Sequence, residues 1–189
     1  MAFVFAENES LARRVPSELY AETRWYACYT RARHEKRVDR MLSDRGIDTY
    51  LPLVRRERRW KDRKKMVEFP LFPGYLFGRF SLDDLHRVLD VPGVSTVVRM
   101  NGLPVPIREE ELASVRRFAA VVSERGEAPE PEPLVAEGQR VRVVAGPFKG
   151  VEAIVEEVRG RKRVLVGITA IRQGFEVDIP VKSLQAIQS

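Results

Sequence analysis

The sequence predicts an α+β domain, an antiparallel sheet flanked by helices, joined through a linker to a small all-β barrel. Three observations predict it. Strand-like and helix-like segments alternate with short connections as far as residue 122. A stretch rich in proline and glutamate follows at 123–133. Beyond it, over 134–189, only strand signals remain, separated by glycine turns.

Residues 1–24 show no hydrophobic period and read as a flexible leader. The first domain, 25–122, opens at Trp25-Tyr26-Ala27-Cys28-Tyr29-Thr30, whose aromatic and β-branched content predicts a strand. A helix is predicted over 33–45 and stopped by Gly46. Val38, Met41, Leu42 and Arg45 share one side of it, and Arg33, Arg37 and Arg40 share another. Residues 47–52 lead into a strand through Val54. The basic run that follows reads as a long hairpin returning through Met66-Val67-Glu68-Phe69. Residues 71–80 are apolar almost throughout and predict a central strand, in which alternation points Phe72 and Phe77 to opposite faces. Ser81 caps a helix bearing Leu82, Leu85, Val88 and Leu89, which Pro92-Gly93 ends. A strand over 94–100 and a turn at Asn101-Gly102 come next. The last helix spans 108–122, with Glu109, Glu110 and Glu111 at its positive end and Leu112, Val115, Ala119 and Val122 facing inward.

In 123–133 three prolines alternate with acids, and no apolar side chain exceeds alanine. Too little surface can be buried there to offset ordering entropy, so an extended, semi-rigid linker is expected. The second domain shows strands at 139–145, 151–158, 162–168 and 174–179. Val141, Val143, Ile154, Val164, Val166, Val177 and Ile179 are its expected core.

Charge narrows the functional classes. The net charge is +6, and residues 55–65 alone carry eight Lys/Arg against Glu57 and Asp62, which equals that total. A concentrated basic run favours a polyanion through counterion release, and a solvated hairpin tip is the plain alternative. An enzyme is disfavoured. The histidines are His34 and His86, Cys28 is the single cysteine, and neither a phosphate-cradling glycine loop nor metal-ligand spacing occurs. No cofactor or metal is expected. Glu109-Glu110-Glu111 at a helix start is dipole compensation. No run of 18 apolar residues exists, so no membrane partner is expected. The N-terminus lacks the pattern of a signal peptide, and one cysteine forms no intramolecular disulfide; a reducing cytoplasm fits both.

Several strings, in order, resemble the NusG family. Trp25-Tyr26 followed by a basic helix matches the opening of its N-terminal (NGN) domain. Phe72-Pro73-Gly74-Tyr75-Leu76-Phe77 matches its most recognisable string, and Pro92-Gly93-Val94 its next corner. Gly138 through Gly150, above all Val143-Val144-Ala145-Gly146-Pro147-Phe148-Lys149-Gly150, looks like a KOW motif. The resemblance covers residues 25–187 and implies an NGN domain followed by an SH3-like KOW barrel.

It further implies a monomeric elongation factor that binds the clamp helices of the RNA polymerase β′ subunit, with β as a second contact, and suppresses pausing and termination. Phe72, Pro73, Gly74 and Tyr75 map onto the apolar surface for that contact, with Tyr26 and Phe77 as neighbours. Phe72 and Tyr75 are expected to be at least partly exposed, and Trp25 to be core. Arg31, Arg33, His34, Arg37 and Arg40 correspond to the region where specialised members touch non-template DNA. Arg58, Arg59 and Lys61, around Trp60, are candidates for upstream duplex or another polymerase surface. Through the KOW domain the family recruits Rho or a small-subunit ribosomal protein, and Phe148, Ile168 and Ile171 are the positions to test.

The segment Ile168-Thr169-Ala170-Ile171-Arg172-Gln173-Gly174-Phe175-Glu176-Val177-Asp178-Ile179 departs from the Thr-Pro-Val-Glu-Leu pattern of housekeeping members. It looks more like the operon-specific antiterminators of UpxY, RfaH and LoaP type. Leu85-His86-Arg87-Val88 stands where RfaH has a threonine-rich string, which favours the UpxY-like reading. The β-branched residues, turn glycines and Pro147 favour a barrel over the helical hairpin that RfaH can form. A housekeeping factor coupling polymerase to Rho or the ribosome is the alternative, and a ribosomal or RNA-binding KOW protein is the alternative from another class.

Overall fold

The computed structural model describes residues 20–59, 64–126, 132–133, 138–158 and 161–187. The chain clusters into two compact units, one of residues 1–51 and 73–107, the other of residues 52–72 and 108–189. Both are discontinuous in sequence, and neither coincides with 25–122 or 134–189.

In the first unit, β1 (Arg24–Thr30) lies between β5 (Tyr75–Phe80) and β6 (Val94–Val97), and β2 (Asp48–Tyr50) forms the far edge beyond β5. The short β9 (Pro106–Ile107) pairs with the start of β1, and all these pairings are antiparallel. α1 (Glu35–Ser43) and α2 (Leu85–Leu89) contribute to the core beside the sheet. That core joins Tyr26, Cys28, Leu76 and Phe80 from the strands to Val38 and Leu42 of α1 and Leu85 and Val88 of α2. The spacing i, i+4 in α1 and i, i+3 in α2 puts each helical pair on one stripe. As read from the sequence, Ser81 caps the turn into α2, its hydroxyl accepting the Asp84 N–H at 3.3 Å. The Asn101-Gly102 turn forms with positive φ at both residues, 53° and 83°, and joins β7 (Arg99–Met100) to β8 (Leu103–Pro104).

The second unit contains the basic hairpin, β3 (Leu53–Arg59) and β4 (Lys64–Pro70), and α3 (Glu109–Arg125). It also contains an all-β antiparallel sheet, in strand order β10-β14-β13-β12-β11-β15. Its strands are β10 (Glu132–Pro133), β11 (Gln139–Val143), β12 (Glu152–Val158), β13 (Arg161–Ile168), β14 (Gln173–Glu176) and β15 (Leu184–Ala186). Val141, Val143, Val164, Val166, Val177 and Ile179 are buried as expected. Ile154 is only half-buried, and Ala153, its neighbour on the opposite face of β12, is the buried residue.

Two boundaries move. α3 runs three residues into the stretch read as linker, because Ser123, Glu124 and Arg125 are compatible with helix, and it stops where Gly126 takes a left-handed φ of 71°. Glu132 and Pro133 then pair with Gly174 and Gln173 as a strand.

α3 packs on the C-terminal sheet through an aromatic cluster. Phe118 stacks on Phe148 at 5.9 Å between ring centroids and on Phe175 at 5.1 Å. Polar contacts flank the rings. The Ser114 hydroxyl accepts the Glu152 N–H at 2.8 Å, the Thr169 hydroxyl donates to Glu111 at 2.6 Å, and the Arg117 guanidinium donates to the Gly150 carbonyl. Among the described residues no helix is long and apolar enough to cross a membrane.

Candidate functional site

Strand alternation sorts the candidate aromatics. On β1, Tyr26, Cys28 and Thr30 face the helices, whereas Trp25, Ala27 and Tyr29 face the other way. Pairing places Ala27 opposite Phe77 and Tyr29 opposite Tyr75. Tyr26 therefore belongs to the core, 2% exposed, its ring 4.9 Å from Phe80. Burial pushes its phenol up. It does not share a face with Tyr75. Phe77 does, but it is fully buried beside Tyr50 at 6.2 Å.

Phe72 differs most from expectation. The strand begins at Tyr75, not at 71, because Pro73-Gly74 turns the chain and Gly74 adopts a φ of 82°. The alternation count therefore starts afresh after the turn. Phe72 is fully buried, its ring 5.2 Å from Phe175 in the aromatic cluster of the second unit. The expected exposure of Phe72 is thus corrected, and Tyr75 carries the exposed chemistry of the Phe-Pro-Gly-Tyr string. Trp25 is buried, as expected.

Tyr75 is half-buried and packs against Tyr29 at 5.1 Å, with the rings tilted by 55°. Burial, and then the neighbouring Tyr29, push the Tyr75 phenol up. Tyr29 is 43% exposed, among the few large hydrophobic side chains left in solvent. The sequence reading did not single it out. Its signal is the β1–β5 register, which no single segment displays.

The mount of this aromatic pair is specific. The Gly74 carbonyl accepts from the Thr30 backbone N–H at 2.8 Å and from its hydroxyl at 3.3 Å. The Gly74 N–H donates to the Glu35 carboxylate at 2.8 Å. A Cβ at Gly74 would stand 3.1 Å from the Tyr29 ring, so glycine answers both the backbone angle and the close approach. The Pro92-Gly93 corner closes the same junction, with the Arg31 N–H donating to the Gly93 carbonyl at 2.9 Å.

The candidate cations follow β1 in the sequence. Arg31, Arg33, Arg37 and Arg40 are exposed, and His34 is half-buried with Nδ1 3.0 Å from the Ala32 carbonyl. The helix starts at Glu35, so Arg33 precedes it, with a φ of 62°, and only Arg37 and Arg40 form the helical face. In the hairpin, Arg58 pairs with Lys65 and Arg59 with Lys64 across the two strands. The side chains of Arg58 and Arg59, together with Trp60 and Lys61, lie outside the described residues. Lys64 is held by Glu57 at 2.7 Å, so part of the hairpin charge is neutralised locally.

The candidate partner-binding residues of the C-terminal sheet are inward. Ile168 is fully buried, and Phe148 and Ile171 are each 8% exposed. Phe148 lies under Phe118, with the Arg125 guanidinium 5.4 Å from its ring centroid.

Comparison with known proteins identifies two matched stretches of the chain. Residues 23–116 match the family model described as NusG, transcription termination factor nusG, and residues 137–166 match the KOW motif. The transcription termination/antitermination protein NusG of Thermus thermophilus is 30% identical over 174 residues, covering 82% of this chain and 94% of the relative. That of Campylobacter jejuni is 33% identical over 159 residues, covering 77% and 88%. A solved structure described as domain interaction in Thermotoga maritima NusG is 26% identical, covers 88% of this chain and 98% of its own, and has a TM-score of 0.45. The relatives are transcription factors, not enzymes. An α+β sheet domain carrying Trp25-Tyr26 and Phe72-Pro73-Gly74-Tyr75, followed by an all-β KOW domain, thus places the chain in the NusG family of transcription termination/antitermination factors.

Proposed function

We propose that the protein binds RNA polymerase through the β′ clamp helices, suppresses pausing and termination, and contacts non-template DNA through α1. Residues 25–122 serve as the polymerase-binding part in this reading, and residues 134–189 as the part that recruits other factors. One observation carries the polymerase contact. Tyr29 and Tyr75 form a solvent-reaching aromatic pair on a rigidly hydrogen-bonded turn, the kind of anchor a partner helix buries. Phe77 is buried on the same face of the sheet, Tyr26 belongs to the core on the other face, and Phe72 is committed to the second unit. Arg31, Arg33, Arg37 and Arg40 are exposed, which supports a role in neutralising the phosphates of a displaced single strand.

The test is a pull-down on polymerase joined to an in vitro transcription assay. Tyr75→Ala should weaken polymerase binding by about tenfold or more, as expected for an interface anchor. Unchanged binding would remove the central claim. Replacing Arg37 and Arg40 with alanine should weaken single-strand binding and reduce the salt slope by roughly one to two. An unchanged slope would exclude that helix face from the contact.

The unusual segment from Ile168 to Ile179 supports the specialised antiterminator over the housekeeping factor. Added Rho separates the two. An antiterminator lengthens transcripts, whereas a housekeeping factor shortens the terminated ones.

A further inference from the structure

Glu35 combines features that a surface carboxylate does not. It is 6% exposed although it begins a helix bracketed by exposed arginines. Its side chain does not cap its own helix. It reaches a residue 39 positions away and accepts the Gly74 N–H at 2.8 Å. The other side of Gly74 is held by Thr30, whose N–H and hydroxyl both donate to the Gly74 carbonyl. Gly74 is thus fastened through its N–H to the start of α1 and through its carbonyl to the end of β1. The two aromatic side chains of the site are mounted immediately beside these fastenings, Tyr75 after Gly74 and Tyr29 before Thr30.

We infer that Glu35 is a positioning residue that sets the Tyr29–Tyr75 pair at a fixed spacing from the cationic face of α1. The carboxylate links α1 to the aromatic turn through a side chain. Arg37 and Arg40 lie two and five residues further along the same rigid helix. Loss of the Glu35 bond leaves a glycine, the residue with the greatest backbone freedom, tethered on its carbonyl side only. The pair then samples several orientations, and a partner must select the competent one. The inference rests on the proposed polymerase contact through Tyr75.

The test uses two substitutions that separate reach from charge. Glu35→Asp keeps the negative charge at the helix start but shortens the side chain by one carbon–carbon bond, about 1.5 Å. Glu35→Gln loses the charge but keeps an acceptor oxygen at the same reach. In the full-length protein, Glu35→Asp should weaken polymerase binding about tenfold, the loss expected from one charge-assisted hydrogen bond. Glu35→Gln should stay within about threefold of wild type. Val38→Ala, which trims the core side of the same helix, should lower thermal stability without lowering affinity. A double-mutant cycle of Glu35→Asp with Tyr75→Ala should be non-additive, because both act through one turn.

Wild-type affinity in Glu35→Asp overturns the inference, as does a loss in Glu35→Gln equal to that in Glu35→Asp. An equal loss in Val38→Ala overturns it too, since destabilised helix would then suffice. If Tyr75→Ala itself binds normally, the polymerase reading fails, an outcome distinct from a strong Tyr75 effect with a silent Glu35.

Discussion

Truncating Phe118 to alanine tests whether α3 and the C-terminal sheet share one core. The ring is 1% exposed and stacks on two others, Phe148 at 26° between ring planes and Phe175 at 23°. Removing a buried phenylalanine costs about 3–5 kcal/mol through lost transfer energy and the cavity left behind. The upper half of that range applies here for two reasons. Each aromatic pair adds about 0.5–1.5 kcal/mol beyond its buried area. The neighbours are also poorly able to collapse, since Phe175 is held from another side by Phe72 at 5.2 Å. We therefore expect a loss of about 4–5 kcal/mol. Guanidinium unfolding followed by circular dichroism should show a lower midpoint at an unchanged denaturant slope. Phe118→Ala and Phe148→Ala should couple by about 0.5–3 kcal/mol in a double-mutant cycle. A Phe118 cost below about 1 kcal/mol, the size of a surface change, would refute a shared core.

Other sites give independent checks. Gly93 has a φ of 110°, and a Cβ there would stand 2.9 Å from Val38 Cγ2, so Gly93→Ala should cost about 1–3 kcal/mol; a melting temperature equal to wild type would contradict this. Burial works to raise the Glu152 carboxyl, but Arg142 at 2.8 Å and Arg140 at 2.9 Å outweigh it and hold the group below its ordinary value. A folded-state value below the unfolded one means that the stability it contributes is present above the unfolded pKa, about 4.3, and is lost as pH falls through the lowered value. Urea midpoints of Glu152→Gln should therefore fall below wild type at neutral pH and converge with it in acid, whereas parallel curves would exclude the linkage. Complete burial pushes the Cys28 thiol up to about 12, so a maleimide at pH 8 should label the protein only after denaturant is added. Rapid labelling of the native protein would show that β1 opens.

The sequence made the sheet domain legible because its elements carry their own period. Val38 and Leu42, Leu85 and Val88, and the alternation in β1 each identify a buried stripe without reference to the rest of the chain. Asn101-Gly102 and Ser81 were legible for a similar reason, since their chemistry acts within four residues. What failed depended on pairs distant in sequence. Phe72 and Phe77 could not be assigned by counting along one strand, because the turn at Gly74 breaks the count. Tyr29 joins the site only through its register with Tyr75. Phe118 lies beside the stripe read on α3, which was drawn for a helix burying one side, whereas Ser114 and Phe118 are buried as well. Glu35 is an acid in the first turn of α1, and only the position of Gly74 shows what it accepts.

The order in which the chain visits its two compact units bears on how the protein can be dissected. It passes from one to the other between residues 51 and 52, returns between 72 and 73, and leaves again between 107 and 108. No single cut in the sequence separates them. A fragment ending at residue 122 would keep most of α3 but discard Phe148 and Phe175, leaving Phe118 and Phe72 without their ring partners. A fragment beginning at residue 134 would lose the helix that covers Phe148. Halves made by dividing the chain at its proline-rich stretch would therefore each present a newly wetted apolar surface. Their solubility and binding would report that surface as well as the native one. Point substitutions in the intact chain are the cleaner way to assign function to either part.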